Sequence, residues 1–153
     1  MDPNASTETA RTGKKSDNLT RADWISGAWE MLGEKGLDGV RIEPLARRLG
    51  VTKGSFYWHF KGRQELIEAL LDYWFSLWDD EISNDRLVQS NPVDRIWVLF
   101  ENVIGRLSRG QTVSLRMLSH SDVDVARRIE ERDRQRLAFL IDQLQELGFS
   151  PQE

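Results

Sequence analysis

Apolar residues recur along most of the chain at the three- to four-residue spacing of amphipathic helices, and no stretch alternates with the period of two that is typical of strands. The first periodic segment predicts a helix over residues 20–35. Thr20 and Asp23 form a capping-box pattern at its start, and Gly33 and Gly36 are expected to end it. The pattern predicts an all-α protein.

Two short helices are predicted next. Pro44 suits the first turn of one helix, and Gly50 is expected to stop it. Thr52 is expected to cap a second helix over residues 53–59, with Phe56 and Phe60 as its buried stripe. The positions expected to face inward in this pair of helices are Leu45, Ala46, Leu49, Phe56 and Phe60.

Longer helices are predicted in the remainder of the chain. One runs over residues 63–83 with an apolar surface too broad for one neighbour. Another opens at Asn91-Pro92-x-Asp94, and a short segment over residues 112–118 follows Gly110. The last is expected to start at the pattern Ser121-x-x-Asp124 and to close at Gly148. The apolar positions expected inside these last helices include Val93, Ile96, Trp97, Phe100, Ile104, Val125, Ile129, Leu137, Leu140, Ile141, Leu144 and Leu147.

Composition narrows the class of protein. The 153 residues include no cysteine, which excludes disulfide-stapled folds and thiolate chemistry. No apolar run approaches the roughly 20 residues of a membrane-spanning helix, so we expect a soluble, cytoplasmic protein. Residues 1–18 carry almost no large apolar side chain and are predicted to be a disordered tail.

Charge is distributed unevenly. The chain has 21 Lys+Arg and 25 Asp+Glu, yet residues 41–63 hold six basic side chains against one acid, Glu43. A basic patch on an acidic chain favours a surface that faces a polyanion, although a solvated face is the alternative.

The two short helices, preceded by a capped helix, form the pattern of a three-helix unit with a helix-turn-helix. The second helix of such a pair can enter the major groove of DNA while the first spans the backbone. Its exposed side would present side chains able to hydrogen-bond, stack or touch a thymine methyl group, and Gly54 would let the backbone approach closely. We therefore expect this segment to bind DNA.

The segment RIEPLARRLGVTKGSFYWHFKGR over residues 41–63, with its Tyr57-x-His59-Phe60 core, closely resembles the DNA-binding segment of the TetR family of bacterial transcriptional regulators. The resemblance covers residues 19–80, and a weaker similarity continues beyond them. It implies a DNA-binding domain over residues 19–64 and a helical ligand-binding and dimerisation domain over residues 65–153. It also implies a dimer that binds a near-palindromic operator in double-stranded DNA and is released by a small-molecule effector, which would make the protein a repressor or an activator.

The resemblance also implies roles for single residues. Lys53, Gly54, Ser55 and Trp58 would approach bases, and Thr52, Tyr57, His59 and Arg63 would contact phosphates. The alternative for His59 is a purely structural role. The alternative for Trp58 is packing against a neighbouring side chain. Glu43 departs from the family pattern and could accept a hydrogen bond from a cytosine or repel the backbone. The full set of predicted DNA-binding residues is Thr20, Arg41, Thr52, Lys53, Gly54, Ser55, Tyr57, Trp58, His59, Lys61 and Arg63.

A cavity for the effector would lie between the long helices. The candidates to line it are Trp74, Phe75, Trp78, Trp97, Phe100, Met117, His120 and Phe139, and an ordinary core is the alternative. An enzyme is disfavoured, because the sequence has no phosphate loop, nucleophile elbow or zinc-ligand spacing. The cluster of His120 with Asp122 and Asp124 is better explained by helix capping. No cofactor or metal is expected.

Two further hypotheses remain. The chain could be a helical interaction protein that kept this fold but lost operator binding or effector response. Residues 150–153 also form a capping-box pattern with Pro151 at its second position, which predicts a further helix beyond the end of the sequence. On that hypothesis the ligand-binding and dimerisation domain is incomplete.

Overall fold

The described part of the chain folds into seven helices. The computed structural model describes residues 19–82, 91–107 and 110–150, and in these ranges it contains α-helices and no strand. The helices are α1 (Arg21–Gly39), α2 (Ile42–Arg48), α3 (Lys53–Phe56), α4 (Arg63–Ile82), α5 (Pro92–Leu107), α6 (Gln111–Leu118) and α7 (Val123–Glu146). The all-α prediction is confirmed. The predicted tail over residues 1–18 and the last three residues of the predicted terminal capping box lie outside the described ranges.

Helix α1 begins as the sequence predicts. The backbone N–H of Asp23 donates to the Thr20 side chain, and the Asp23 carboxylate accepts from the Thr20 backbone at 2.7 Å. Gly33 does not end the helix. Gly36 interrupts it with φ 65° and ψ −173°, a left-handed conformation that favours glycine, and a last turn continues to Gly39.

Helix α3 is shorter than the predicted span of residues 53–59. After Phe56 the chain continues in tight turns, in which the N–H of Tyr57 donates to the carbonyl of Gly54 and that of His59 to the carbonyl of Phe56. Bonds to the residue three positions back replace α-helical bonds, so Tyr57, Trp58 and His59 lie on a turn instead of a helix.

The core joins the N-terminal helices to the long ones. Helix α1 packs against α2, α4 and α6, and α2 packs against α3. Trp24 and Trp74 are among the largest fully buried side chains, and Phe56 stacks on Phe60 with ring centroids 5.1 Å apart. The remaining buried apolar residues of this core include Ala28, Met31, Leu32, Leu45, Ala46, Leu66, Ile67, Leu70, Leu71, Phe75, Leu115, Val125 and Ile129, while Leu49 and Val51 are partly buried against it.

A smaller apolar cluster lies between α4, α5 and α7. Trp78 and Leu99 are buried there, and Val98, Phe139 and Leu140 pack against them. Leu99 is thus a buried residue of α5 that the sequence pattern did not single out.

The predicted interior of α5 and α7 is partly wrong. Four of the residues expected inside α5 and four of those expected inside α7 are exposed: Val93, Trp97, Phe100, Ile104, Leu137, Ile141, Leu144 and Leu147. They keep the helical period, but the described neighbours of each helix cover only one side of its apolar surface. Apolar residues at helical spacing on α5 and α7 therefore form two strips, one buried and one exposed.

Two helix starts show how local chemistry sets the ends. The Asn91 side chain accepts from the backbone N–H of Asp94 at 3.0 Å, as predicted for α5. Helix α7 is capped by Asp122 and not by Ser121, because the Asp122 carboxylate accepts from the N–H groups of Asp124 and Val125.

None of the described helices carries an apolar stretch suited to crossing a membrane.

Candidate nucleic-acid interface

The turn between α2 and α3 fixes the angle between these two helices. Gly50 has φ 70°, and the N–H of Val51 donates to the carbonyl of Ala46 at 3.0 Å. This left-handed glycine after the last helical turn reverses the chain and starts α3 within three residues. The helix-turn-helix predicted from the sequence is present.

The inner side of α3 is anchored in the core. Phe56 is fully buried, and its ring contacts Trp24 edge-on with centroids 5.3 Å apart. Phe60, at 2% exposure, closes the layer beneath. Rigid aromatic packing on one side therefore holds the opposite side of the segment in a fixed position.

The outer side of the segment is open to solvent. Trp58 is 87% exposed and Tyr57 is 53% exposed, and Thr52, Lys53 and Gly54 are exposed as well. Ser55 and His59 lie at the edge of this surface and are partly buried. The structure thus brings the predicted DNA-binding residues from 52 to 59 to one continuous surface, which we call the recognition surface.

The predicted capping of α3 by the Thr52 side chain is wrong. Thr52 occupies the capping position with an extended backbone, but its side chain makes no capping hydrogen bond. The hydroxyl of Ser55 donates to the Thr52 carbonyl at 3.1 Å instead. The Thr52 hydroxyl is therefore not committed to capping.

Several basic side chains near this surface are already engaged. Arg63, predicted to contact a phosphate, donates to the carbonyls of Val40 at 2.7 Å and Leu37 at 2.8 Å and so ties α4 to the end of α1. Arg41 donates to the Asp38 carbonyl at 3.0 Å. Their primary contacts are structural, and any phosphate contact would use the remaining N–H groups.

The sequence analysis missed the acids that pair with the basic segment. Arg48 lies 2.7 Å from Glu34 and 3.0 Å from Glu30, and this contact lowers the pKa of Glu34 and raises that of Arg48. The signal was available, because Glu30 and Glu34 lie one turn apart on α1. Part of the basic excess in residues 41–63 is thus neutralised by α1.

Lys53 is also paired. Its ammonium group lies 2.8 Å from a carboxylate oxygen of Glu43, at the start of α2. The hydrogen bond lowers the pKa of Glu43 and raises that of Lys53. This pair links the beginnings of the two helices at the edge of the recognition surface.

Two predicted contacts lie at helix starts. Thr20 is exposed, and its side chain is engaged in the capping box of α1. Lys61 is exposed, and its backbone N–H donates to the Glu65 carboxylate at 2.7 Å, which caps α4. The side chain of Lys61 points away from the core and can take part in phosphate contacts.

The predicted effector residues do not gather around one enclosed space. Trp74 and Trp78 are buried, Phe75 is buried and Phe139 is partly buried. The other four candidates differ: Trp97, Phe100, Met117 and His120 are exposed. Trp97 and Phe100 belong to the uncovered side of α5, where the described neighbours do not reach.

A partly buried arginine contacts the two tryptophans and was not anticipated. The Arg136 guanidinium is 5.4 Å from the Trp74 ring centroid and 5.3 Å from that of Trp78. Its Nε is buried without a hydrogen-bond partner in the described ranges, and burial lowers the pKa of Arg136. The spacing of Arg128, Arg132 and Arg136, one turn apart on α7, was the available signal.

The acidic cluster near His120 has a structural explanation, because Asp122 caps α7 as described above. Within the described ranges, no group of three or more histidine, cysteine or acidic side chains is arranged to hold a metal ion.

The N-terminal part of the chain is similar to known proteins. Residues 25–70 match the family model described as "Bacterial regulatory proteins, tetR family". Over 52 residues the chain is 40% identical to the tetracycline repressor protein class D of Escherichia coli, a match covering 34% of this chain and 24% of that protein. Over 62 residues it is 37% identical to the HTH-type transcriptional regulator TtgR of Pseudomonas putida, covering 40% of this chain and 30% of that one.

A solved structure supports the fold over a longer range. The ketosteroid transcriptional regulator KstR2 of Mycobacterium tuberculosis aligns with a TM-score of 0.58 and 22% identity over 87% of this chain and 71% of that chain. The two sequence relatives are matched over less than a third of their own lengths. The predicted resemblance to the tetR family is confirmed over residues 25–70.

Proposed function

We propose that this chain, which carries the tetR-family helix-turn-helix, is a sequence-specific regulator of bacterial transcription. In this proposal α3 and the turn after it enter the major groove of an operator, and α2 lies across the backbone. The major groove is about 12 Å wide and admits a helix together with its side chains. A regulator of this kind acts on chromosomal DNA in the cytoplasm.

One observation carries the proposal: Trp58 is 87% exposed two residues after the fully buried Phe56. An indole ring in contact with water and fixed on a rigid base gains free energy when a partner covers it. Lys53 and Tyr57 beside it supply a cation and a phenol for the edges and phosphates of DNA. Because so little of Trp58 is buried, we expect it to contribute little to the stability of the unit itself.

The repressor role, the effector and the dimer are finer parts of the proposal. Several relatives are named tetracycline repressors, which supports repression relieved by a small molecule. The contacts of Arg136 with Trp74 and Trp78, and the packing of Phe139 on Trp78, are the features of the helical domain that support an effector site. The exposed apolar sides of α5 and α7 support a homodimer.

The DNA-binding claim is tested by titrating the chain against a labelled duplex from the promoter region of its own gene, at two salt concentrations. We expect binding that resists an excess of unrelated duplex and weakens linearly with log salt. Equal affinity for promoter and unrelated DNA would overturn the proposal.

The effector claim is tested by tryptophan quenching with a panel of hydrophobic amines, phenols and acids, each also assayed for release of the operator. We expect at least one class to quench the fluorescence and release the DNA. If every class leaves both signals unchanged, the effector part of the proposal is wrong.

A helical interaction protein is the second candidate function, and the uncovered apolar sides of α5 and α7 favour it, since surfaces of this kind mark protein contacts. The promoter titration separates the two, because an interaction protein that has lost operator binding would show no preference for any duplex.

A further inference from the structure

The pair formed by Glu43 and Lys53 lies among the predicted DNA contacts. A shallow groove of about 390 Å³ is lined by Arg41, Glu43, Lys53, Tyr57 and Arg63, together with Ile42 and Pro44 at the start of α2. Four of these side chains, Arg41, Lys53, Tyr57 and Arg63, belong to the predicted DNA-binding set. Glu43 is the acid among them, so a DNA molecule that meets the recognition surface meets a carboxylate as well.

The carboxylate of Glu43 is oriented by a hydrogen bond from Lys53 and can accept further hydrogen bonds. In the described part of the chain its side chain makes one hydrogen bond, from Lys53 to Oε1 at 2.8 Å, and 64% of the side chain is exposed. Because Lys53 lowers the pKa of Glu43, the group is ionised at neutral pH and can only accept hydrogen bonds.

Lys53 also removes the electrostatic objection to an acid at this position. An isolated carboxylate on the recognition surface would be repelled by phosphates. The ammonium group 2.8 Å away makes the pair neutral as a whole, so Glu43 can approach the groove without a net negative charge. The same contact orients the carboxylate from a neighbouring helix.

From this geometry we infer that Glu43, positioned by Lys53, reads a cytosine in each half-site of the operator. The inference rests on the proposed function and deepens it. Cytosine presents the N4 amino donor in the major groove, whereas guanine and thymine present acceptors that an ionised carboxylate repels. Adenine presents an amino group next to the N7 acceptor, so a carboxylate accepts from it less favourably.

The test is selection of duplexes from a randomised library by the wild-type chain and by Glu43→Ala and Glu43→Gln. The wild type should select a motif that contains one cytosine, whose replacement costs about 5- to 10-fold in affinity. Glu43→Ala should lose the preference at that position alone. Glu43→Gln should shift it to adenine, because an amide can donate to N7 while it accepts from N6.

A second readout is the salt dependence of binding to unrelated duplex. Either substitution frees Lys53 to contact a phosphate, so the slope of log affinity against log salt should steepen by about 0.9. Glu30→Gln is the matched control, because it neutralises an equally exposed, ion-paired acid on α1 while Arg48 keeps Glu34. The control should leave both the motif and the slope unchanged.

The outcomes separate this inference from the proposed function. If the wild type selects a motif and Glu43→Ala selects the same motif at every position, base reading by Glu43 is wrong and the DNA-binding function stands. A Glu43→Gln variant that still selects cytosine contradicts the inference in the same way. If the wild type selects no motif at all, the inference and the proposed function are both overturned.

Discussion

Arg136 is a charged side chain that has few polar contacts. Its guanidinium lies over Trp74 and Trp78, its nearest carboxylate is that of Asp133 at 3.4 Å, and its Nε has no partner in the described ranges. Removing a guanidinium from water costs several kcal/mol unless hydrogen bonds replace the lost ones. Cation-π contacts compensate for only part of that cost.

We therefore expect Arg136→Met to leave the free energy of unfolding within about 1 kcal/mol of the wild type or to increase it. The methionine keeps the aliphatic volume against Trp74 and Trp78, and Asp133 retains its two bonds from Arg116 at 2.7 Å. Urea unfolding measures the difference.

Arg116→Met is the matched comparison. It removes the two-bond partner of Asp133 and leaves only the long contact to Arg136, so we expect a loss of about 1 kcal/mol in this partly exposed pair. A larger loss for Arg136→Met than for Arg116→Met would show that the buried guanidinium is stabilising as it stands.

The Arg116–Asp133 pair predicts that the free energy of unfolding decreases at acidic pH. The hydrogen bonds from Arg116 lower the pKa of Asp133 below the ordinary value of an aspartate, 3.8. A carboxylate whose folded pKa is depressed contributes stability that is fully present above the unfolded pKa and is lost as the pH falls through the folded pKa. Unfolding free energies measured from neutral pH down to below pH 4 should therefore fall more steeply for the wild type than for Asp133→Asn. Parallel curves would mean that the pair does not contribute.

At the scale of elements, the turn between α2 and α3 depends on Gly50. Its φ of 70° is a conformation that costs other residues roughly 1 kcal/mol, and an added Cβ would meet nothing within 4 Å. We expect Gly50→Ala to lower the free energy of unfolding by about 1 kcal/mol through the backbone alone. Thermal or urea unfolding measures it.

Gly105 provides the contrast. It lies inside α5 without a positive φ, and an added Cβ would also meet nothing within 4 Å. Gly105→Ala should raise stability by about 0.5 to 1 kcal/mol, because alanine is the better helix former. Equal effects of the two substitutions would contradict the assigned role of Gly50.

Element positions could be read from the sequence where local chemistry decides them. Capping by Thr20 and Asn91 and the stop at Gly50 depend on neighbours within four residues, and the structure has all three. The span of α3 could not be predicted, because apolar spacing does not distinguish a helix from the tight turns that carry Tyr57 to His59. Ser121 and Asp122 are both suitable capping residues for α7, and the structure shows that Asp122 accepts the backbone hydrogen bonds.

At the scale of the whole molecule, the uncovered sides of α5 and α7 predict self-association. Trp97 and Phe100 are 65% and 63% exposed, and Leu137 on α7 is 58% exposed. Burying such surfaces against a second copy is favourable by roughly 25 cal/mol per Å². We expect the chain to have the mass of a dimer at micromolar concentration, as measured by light scattering.

Trp97→Lys should shift that mass toward the monomer, since a lysine can pair with Glu101 one turn away while it disrupts the apolar contact. Val123→Lys is the control, because Val123 is 84% exposed at the start of α7 and away from these residues. A monomeric wild type, or equal effects of both substitutions, would contradict the proposed dimer.

Contacts between residues far apart in the chain could not be predicted from the sequence. The period of α5 was read correctly, yet which side of it faces the core depends on neighbours, and Leu99 rather than Trp97 is buried. The bonds from Arg63 to Val40 and Leu37 join residues 23 and 26 positions apart, so nothing in the sequence indicated that Arg63 holds α4 against the end of α1. By contrast, the buried Phe56 and Phe60 followed directly from their spacing.

The most direct test of the account is the sequence preference of the Trp58→Ala variant. Trp58 is 87% exposed, so the substitution should leave the unfolding curve unchanged. If α3 and its following turn read the operator, the ratio of operator to unrelated-DNA affinity should fall by about tenfold relative to the wild type, since each lost base contact costs about 1 to 3 kcal/mol. An unchanged ratio in a fully folded variant would contradict the assignment of this segment as the recognition surface.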